Sequence, residues 1–222
     1  MSEIVLMADP RVSAVPVREC GEPLIDIRTG GRLLVDSRKQ KDSDAFHYLR
    51  AGVLERLLEA QDRLPGGLRF LVVEGYRPPE LQRRYFDDYA AKLRAGQPEW
   101  SGEQIRSAAS RFVSPPEIAP HSAGAAVDLT LADADGRELE LGTPMNATPE
   151  DSGGACYTDA AGIGEQARTH RRILGQALKT AGFVNYPTEW WHWSFGDRYW
   201  ALTTGAGSAR YGTRSLDAGT HA

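Results

Sequence analysis

The sequence predicts an α+β fold in which helices pack on a small, mainly antiparallel β-sheet. Three observations support this class: amphipathic helical segments, short apolar segments bounded by turn residues, and no regular alternation of strand and helix. The 222 residues are 41% hydrophobic and 25% charged, which suits a single globular domain. We assign that domain to residues 1–212 and predict a disordered tail at 213–222, where the residues are small and polar.

The first strong element is a predicted helix in "DAFHYLRAGVLERLLEAQDRLPGG", residues 44–67. Apolar residues recur there at helical spacing, and Ser43 or Asp44 can cap its start. Gly66 can end it. The apolar segment "LRFLVVEGYR" then predicts a strand, and "PPELQRRYFDDYAAKLRAG" predicts a helix that opens with prolines. "SGEQIRSAASRFV" predicts a further helix.

The second half of the chain predicts a hairpin, a helix and a last strand region. "AAVDLTLADADGRELEL" alternates apolar and polar residues, and the Asp135–Gly136 pair marks the hairpin turn. A loop rich in glycine and proline covers about 142–165, and "ARTHRRILGQALKTAG" predicts the helix after it. "FVNYPTEWWHWSF" predicts the last strand region.

Composition excludes several classes of function. The net charge of −4 and the lack of a basic cluster argue against a nucleic-acid partner. No stretch predicts a membrane span, and the N-terminus lacks a leader pattern, so we expect a cytoplasmic protein. Cys20 and Cys156 are expected to be reduced thiols, although a disulfide between them stays open. The oligomeric state is not predicted.

A candidate zinc site combines His121, Asp128 and His192. His121 lies in a loop, Asp128 in the strand that follows it, and Gly124 between them lets the chain bend. Imidazole nitrogen and carboxylate oxygen both bind zinc, and three protein ligands leave a fourth position for water. A histidine near an aspartate is more often a structural hydrogen bond, so this prediction depends on the combination of residues.

Glu189 and Arg77 are the candidate catalytic residues. Glu189 precedes His192 by three positions, and residues so spaced on a straight strand point to opposite faces. We therefore expect a bend near Pro187–Trp190 that lets Glu189 act as the base, with the neighbouring tryptophans as apolar walls of the site. Arg77 lies where a predicted strand ends, where it could stabilise an oxyanion or bind a substrate carboxylate.

Three stretches, "VVEGYRPPELQ", "HSAGAAVDLTL" and "EWWHWSFGDRYW", resemble the zinc D-alanyl-D-alanine dipeptidases in order and spacing. The resemblance implies an α+β fold with a central cleft and one zinc ion on His121, Asp128 and His192. It also implies that Glu189 is the base and that Arg77 stabilises the transition state. The substrate it implies is a small peptide that ends in D-alanine.

The sequence departs from the family pattern at two places. Ala119 stands where the family often has serine, and Asn146 stands at the position of an aspartate that helps to hold the substrate amino terminus. Asp151 or Glu150 could replace that carboxylate. We predict Asn146, Asp151 and Tyr76 as substrate-binding residues, and strict preference for free D-Ala-D-Ala stays open.

We therefore predict a zinc dipeptidase acting on D-Ala-D-Ala or a related small dipeptide. One alternative is a D,D-carboxypeptidase or endopeptidase acting on longer cell-wall peptides. An alternative from another class is a zinc-stabilised binding domain without turnover. Glu189 argues against it, because a structural zinc site needs no adjacent base.

Overall fold

The fold is known from a computed structural model, which describes residues 4–216. Its centre is a five-stranded sheet in the order β2-β4-β5-β7-β6. These strands are β2 (Leu34–Val35), β4 (Arg69–Glu74), β5 (Ala126–Ala132), β6 (Val184–Asn185) and β7 (His192–Ser194). Only the β2–β4 pair is parallel, so the predicted mainly antiparallel sheet is confirmed.

Two of the helices cover one face of this sheet. Leu57 of α2 (Ala51–Gln61) and Leu174 of α5 (Glu165–Thr180) belong to the same apolar cluster as Val127 and Leu129 of β5. These side chains are essentially inaccessible to solvent. The other residues of β5, including Asp128 and Thr130, are also buried, so both faces of the central strand are covered.

A helical hairpin stands over the second face. It consists of α3 (Pro79–Gly96) and α4 (Gly102–Ala109), which pack through an apolar cluster of their own. Ser101 caps α4: its hydroxyl accepts from the Gln104 amide, and the Gln104 side chain accepts from the Ser101 amide. Near the chain termini, α1 (Pro10–Ala14) packs against α6 (Arg198–Thr204).

The predicted helix over 44–67 is wrong at both ends. Residues Tyr48–Arg50 form a strand, β3, that pairs with β1 (Leu24–Asp26), and α2 begins only at Ala51 and ends at Gln61. Pairing with a strand over 20 residues earlier in the chain replaced the first helical turn, which local periodicity cannot reveal.

Other elements also differ from the prediction in extent. The 101–113 helix ends at Ala109, and the second arm of the 125–141 hairpin is reduced to one bridge between Ala132 and Glu138. The last strand region is two short strands, β6 and β7, joined by a turn.

The assignment of residues 1–212 to one domain, with a tail at 213–222, stays a prediction. The main apolar cluster contains residues from Ile27 to Tyr211, which supports one domain over 1–212. Of the predicted tail, residues 217–222 lie outside the described residues. Arg214, before them, donates its amide hydrogen to the Ser122 carbonyl oxygen at 3.0 Å and accepts from the Tyr76 hydroxyl at 2.7 Å.

No helix of the described chain has the length and apolar character to cross a membrane.

Candidate metal centre and active-site cleft

Adjacent backbone segments bring His121, Asp128 and His192 together. Asp128 of β5 and His192 of β7 are direct cross-strand partners in the antiparallel ladder. His121 begins a single 3₁₀ turn, His121–Ala123, just before β5. All three side chains are buried.

Gly124 directs the chain from this turn into the strand. Its φ of 65° is in the left-handed region, and its amide hydrogen bonds the His121 carbonyl oxygen at 3.0 Å. A Cβ at this position would lie 2.3 Å from Leu24 Cδ2, so a side chain would also clash there. The bend predicted at Gly124 is therefore confirmed.

The three candidate ligand atoms have the spacing of a zinc site. His192 Nδ1 lies 2.9 Å from Asp128 Oδ1 and 3.1 Å from His121 Nε2, and His121 Nε2 lies 3.2 Å from Asp128 Oδ1. Tetrahedral zinc with bonds of about 2.0–2.1 Å needs ligand atoms roughly 3.3 Å apart. Two imidazoles and one carboxylate in this arrangement fit one zinc ion, and they leave a fourth direction open.

The other ring nitrogen of His121 fixes the orientation of its imidazole. His121 Nδ1 lies 2.6 Å from the Gly75 carbonyl oxygen, at the end of β4. Since a carbonyl only accepts, Nδ1 carries the hydrogen, and the lone pair is left on Nε2, which faces the other two candidate ligands.

Electrostatics favour the metal-binding states of Asp128 and His192. Burial by itself would raise the pKa of Asp128, but His121 and His192 hold it well below its usual value. Burial lowers the pKa of His192, which favours neutral imidazole. An ionised carboxylate beside neutral histidine is the state that coordinates zinc.

The turn between β6 and β7 brings Glu189 to the candidate metal ligands. The Glu189 amide hydrogen bonds the Tyr186 carbonyl oxygen at 2.9 Å, and the His192 amide bonds the Glu189 carbonyl oxygen at 3.2 Å. Glu189 Oε2 then lies 3.9 Å from His192 Nδ1. The predicted bend is confirmed. Burial, and then the charge of Asp128, raise the pKa of Glu189 well above its ordinary value.

Arg77 is held by two residues that the sequence analysis missed. Glu74 accepts from Arg77 Nε at 2.7 Å and from Nη2 at 2.8 Å, and Gln82 Oε1 accepts from Nη1 at 2.9 Å. The Tyr85 ring lies 5.0 Å from the guanidinium carbon. The sequence did contain a signal for Glu74: it is a glutamate at the end of an apolar strand, three positions before the arginine.

Arg77, Glu189 and the three candidate metal ligands line a cleft of about 420 Å³. It is lined by Lys39, Arg77, Tyr85, Asp88, Tyr89, Lys92, Phe112, Val113, Ser114, His121, Asp128, Asn146, Thr148, Glu189 and His192. The aromatic walls are therefore Tyr85 and Tyr89 of α3 and Phe112, which follows α4. The predicted tryptophan walls are wrong, because the side chains of Trp190, Trp191 and Trp193 pack into the main core.

The three predicted substrate-binding residues lie in different surroundings. Asn146 lines the cleft, with an unusual φ of 64°. The Asp151 side chain is 66% exposed and faces Lys92 at 3.8 Å, outside the cleft lining. The Tyr76 hydroxyl donates to the Arg214 carbonyl oxygen, and the Tyr76 side chain packs with Leu24 and Tyr48. The roles of these three residues stay predictions, and cleft placement supports only Asn146.

The histidines and cysteines outside the site have other surroundings. His170 Nδ1 lies 2.8 Å from the Glu140 carbonyl oxygen, and His47 Nε2 lies 3.6 Å from Asp26. His221 lies outside the described residues. Cys20 is exposed, Cys156 is buried, and both are free thiols.

Comparisons with known proteins agree on one family. The model of the D-ala-D-ala dipeptidase family matches residues 40–205. A D-alanyl-D-alanine dipeptidase of Synechocystis sp. is 32% identical over 85% of this chain and 87% of its own length. One from Enterococcus faecalis is 36% identical over 35% of this chain and 37% of its own length.

One solved structure, VanYB in complex with D-Alanine-D-Alanine, is similar with a TM-score of 0.45. The match is 20% identical and covers 73% of this chain and 81% of that one.

Proposed function

Because the chain belongs to the D-Ala-D-Ala dipeptidase family, we propose that it is a zinc-dependent dipeptidase that hydrolyses D-Ala-D-Ala or a related small dipeptide. The observation that carries the proposal is the convergence of His121, Asp128 and His192, whose candidate ligand atoms lie 2.9–3.2 Å apart beside Glu189. Family membership suggests the substrate, and this geometry supplies a site able to act on it.

His121 Nε2, Asp128 Oδ1 and His192 Nδ1 would hold the metal. Their chemistry, two imidazoles and one carboxylate, is that of catalytic zinc sites with three protein ligands. When bound, zinc acts as a Lewis acid that activates water and polarises the substrate carbonyl group.

Glu189 moves the proton in the proposed reaction. One of its carboxylate oxygens accepts a proton from the attacking water and returns it to the leaving nitrogen of the peptide bond. A base must have a pKa near the working pH, and burial shifts Glu189 in that direction. A divalent cation close by would shift the pKa back down, which keeps the carboxylate ionised before the reaction.

Arg77 stabilises the negative charge that develops on the carbonyl oxygen. Glu74 and Gln82 occupy one hydrogen each on Nε, Nη1 and Nη2, so one N–H on each Nη atom is left for the substrate. A guanidinium fixed on three sides does not have to reorganise during the reaction, which is the condition for effective electrostatic stabilisation.

The size of the cleft supports a small substrate. Its volume of about 420 Å³ is in the lower part of the range of roughly 300–1,000 Å³ typical of small-molecule sites. A D,D-carboxypeptidase acting on longer peptides is compatible with the same residues but is not favoured, because the matching family and relatives are dipeptidases. Glu189 argues against a binding domain without turnover.

We also propose a cytoplasmic enzyme that removes or recycles a cell-wall dipeptide. The two free thiols support a reducing compartment, because disulfides are rare there. Fractionation of cells that carry the tagged protein tests this location, and recovery of the protein from the cell exterior would contradict it.

The decisive experiment is a panel of dipeptides with zinc-loaded enzyme. We expect hydrolysis of D-Ala-D-Ala to two molecules of D-alanine, slower hydrolysis of L,L and mixed dipeptides, and no hydrolysis of N-acetyl-D-Ala-D-Ala. Cleavage of the blocked peptide at a similar rate would favour the carboxypeptidase. Absence of hydrolysis across the panel by zinc-loaded, folded protein would favour the binding domain.

A further inference from the structure

A lysine with no assigned role lies in the wall of the cleft. Lys39 belongs to the turn between β2 and β3, and its side chain is only 15% exposed. It is one of the residues that line the cleft together with Arg77 and the candidate metal ligands. Lysine is seldom withdrawn from water to this extent unless an anion is near it.

The carboxylate beside Lys39 is that of Glu74, which already pairs with Arg77. Both oxygens of Glu74 accept from Arg77, at 2.7 and 2.8 Å. Lys39 Nζ lies 3.3 Å from Glu74 Oε2, which is longer than the usual hydrogen-bond range of about 2.7–3.2 Å. One carboxylate therefore faces two cations, and this wall of the cleft has an excess positive charge.

The other carboxylates of the cleft do not remove this excess. Asp128 faces the two histidines, and Glu189 lies beside His192, where the charges of Arg77 and Lys39 also act on it. A divalent cation on the histidines and Asp128 would compensate both carboxylates. Asp88 lines the cleft but is solvent-exposed on α3. The positive charge at Lys39 and Arg77 is therefore available to an anionic group of the substrate.

Tyr85 sets the relative positions of the two cations. Lys39 Nζ lies 5.2 Å from the centre of its ring, and the Arg77 guanidinium carbon lies 5.0 Å from the same ring. Lys39 is thus held against the cleft wall beside Arg77. An ammonium group presents three donors as a compact charge, which suits a carboxylate.

We propose that Lys39 determines specificity by binding the free C-terminal carboxylate of the dipeptide, while Arg77 faces the scissile carbonyl group. The proposal rests on the dipeptidase function above. From the sequence, Arg77 has two possible roles, stabilising an oxyanion and binding a substrate carboxylate. We assign the oxyanion to Arg77, because Glu74 and Gln82 orient its guanidinium, and the carboxylate to Lys39.

The test compares D-Ala-D-Ala with its C-terminal amide, which lacks the negative charge. Wild-type enzyme is expected to prefer the acid in kcat/KM by about tenfold or more, as hydrogen bonds to charged groups contribute. Lys39→Met should raise KM for the acid by a similar factor with little change in kcat, leave the amide unaffected, and so abolish the preference. Lys39→Arg should retain most of it.

Lys41→Met is the matched control, because Lys41 lies in the same turn, is exposed and is not among the cleft-lining residues. Zinc content and thermal midpoint of each variant must match those of the wild type. Calorimetric binding of acid and amide to a Glu189→Gln background gives the same comparison without turnover.

The outcomes distinguish this inference from the function on which it rests. Equal loss of activity toward acid and amide in Lys39→Met would mean that Lys39 acts only through Glu74 and Arg77. An unchanged KM for the acid would show that Lys39 has no role. Either result overturns the Lys39 proposal and leaves the dipeptidase intact. Failure of the wild type to hydrolyse either compound would overturn both.

Discussion

Glu74 and Arg77 form a buried, bidentate ion pair in the wall of the cleft, with N–O distances of 2.7 and 2.8 Å. Burial alone would raise the pKa of Glu74, but the Arg77 guanidinium lowers it to about 2. The pair is therefore ionised throughout the neutral range. It fixes the guanidinium through two parallel hydrogen bonds, a geometry that only arginine among the cations can make.

Arg77→Ala is expected to reduce turnover of D-Ala-D-Ala on the order of a hundredfold or more, as loss of an oxyanion donor does. It also leaves Glu74 buried with a weaker partner, so we expect a loss of about 3–5 kcal/mol in the free energy of unfolding. Combining it with Glu74→Gln should recover stability and not activity. Steady-state kinetics and urea unfolding of both proteins measure these effects. A change in KM alone would contradict the oxyanion role.

Glu189→Gln is expected to lower kcat by about 10²–10⁴-fold, because the amide accepts no proton. Zinc content should remain one ion per chain, since Glu189 is not one of the proposed ligands. Metal analysis by mass spectrometry and hydrolysis assays test the two parts. Near-normal turnover in this variant would remove Glu189 from the mechanism.

His121→Ala is expected to lose zinc and activity together, because Nε2 of this residue is one of three proposed ligand atoms. His170→Ala is the control: His170 Nδ1 lies 2.8 Å from the Glu140 carbonyl oxygen, in the loop that follows β5, and His170 is not among the cleft-lining residues. Equilibrium dialysis against a competing chelator measures affinity for both. Wild-type zinc affinity in His121→Ala would refute the ligand assignment.

Removal of zinc should abolish hydrolysis and lower the thermal midpoint, since a ligand that binds the native state stabilises it. The far-ultraviolet circular dichroism spectrum should change little. Asp128 and His192 are ladder partners in the central sheet, and their strands are held by backbone pairing and by the apolar core. An unfolded spectrum after chelation would show that the metal is needed for the fold itself.

The two cysteines should differ in reactivity. Cys20 is exposed, whereas Cys156 is inaccessible, and burial raises the pKa of the Cys156 thiol, which reduces its thiolate fraction at neutral pH. We expect a thiol reagent to label one cysteine per native chain rapidly and two in denaturant. Cys20→Ser should remove the fast reaction. Rapid labelling that persists in that variant would contradict the burial of Cys156.

The sequence was sufficient for the fold class, for α3 and α5, for the bend before His192 and for the set of residues that converge. Each depends on local chemistry: helical periodicity, a proline in a turn, or a carboxylate and imidazole in an apolar segment. Whether His121, Asp128, His192, Glu189 and Arg77 act as proposed stays a prediction for the experiments above.

Only the tertiary structure decided the features that depend on residues far apart in the chain. The strand at Tyr48–Arg50 exists because it pairs with Leu24–Asp26, and the tryptophans are core because they share one buried apolar cluster with residues of α2 and α5. Lys39 reaches the Glu74–Arg77 pair from a separate turn more than 30 residues earlier in the chain. The sequence predicts local elements from their periodicity and candidate ligands from their residue types. It does not specify which distant charges share a cleft, because that depends on how the sheet and the helical hairpin pack.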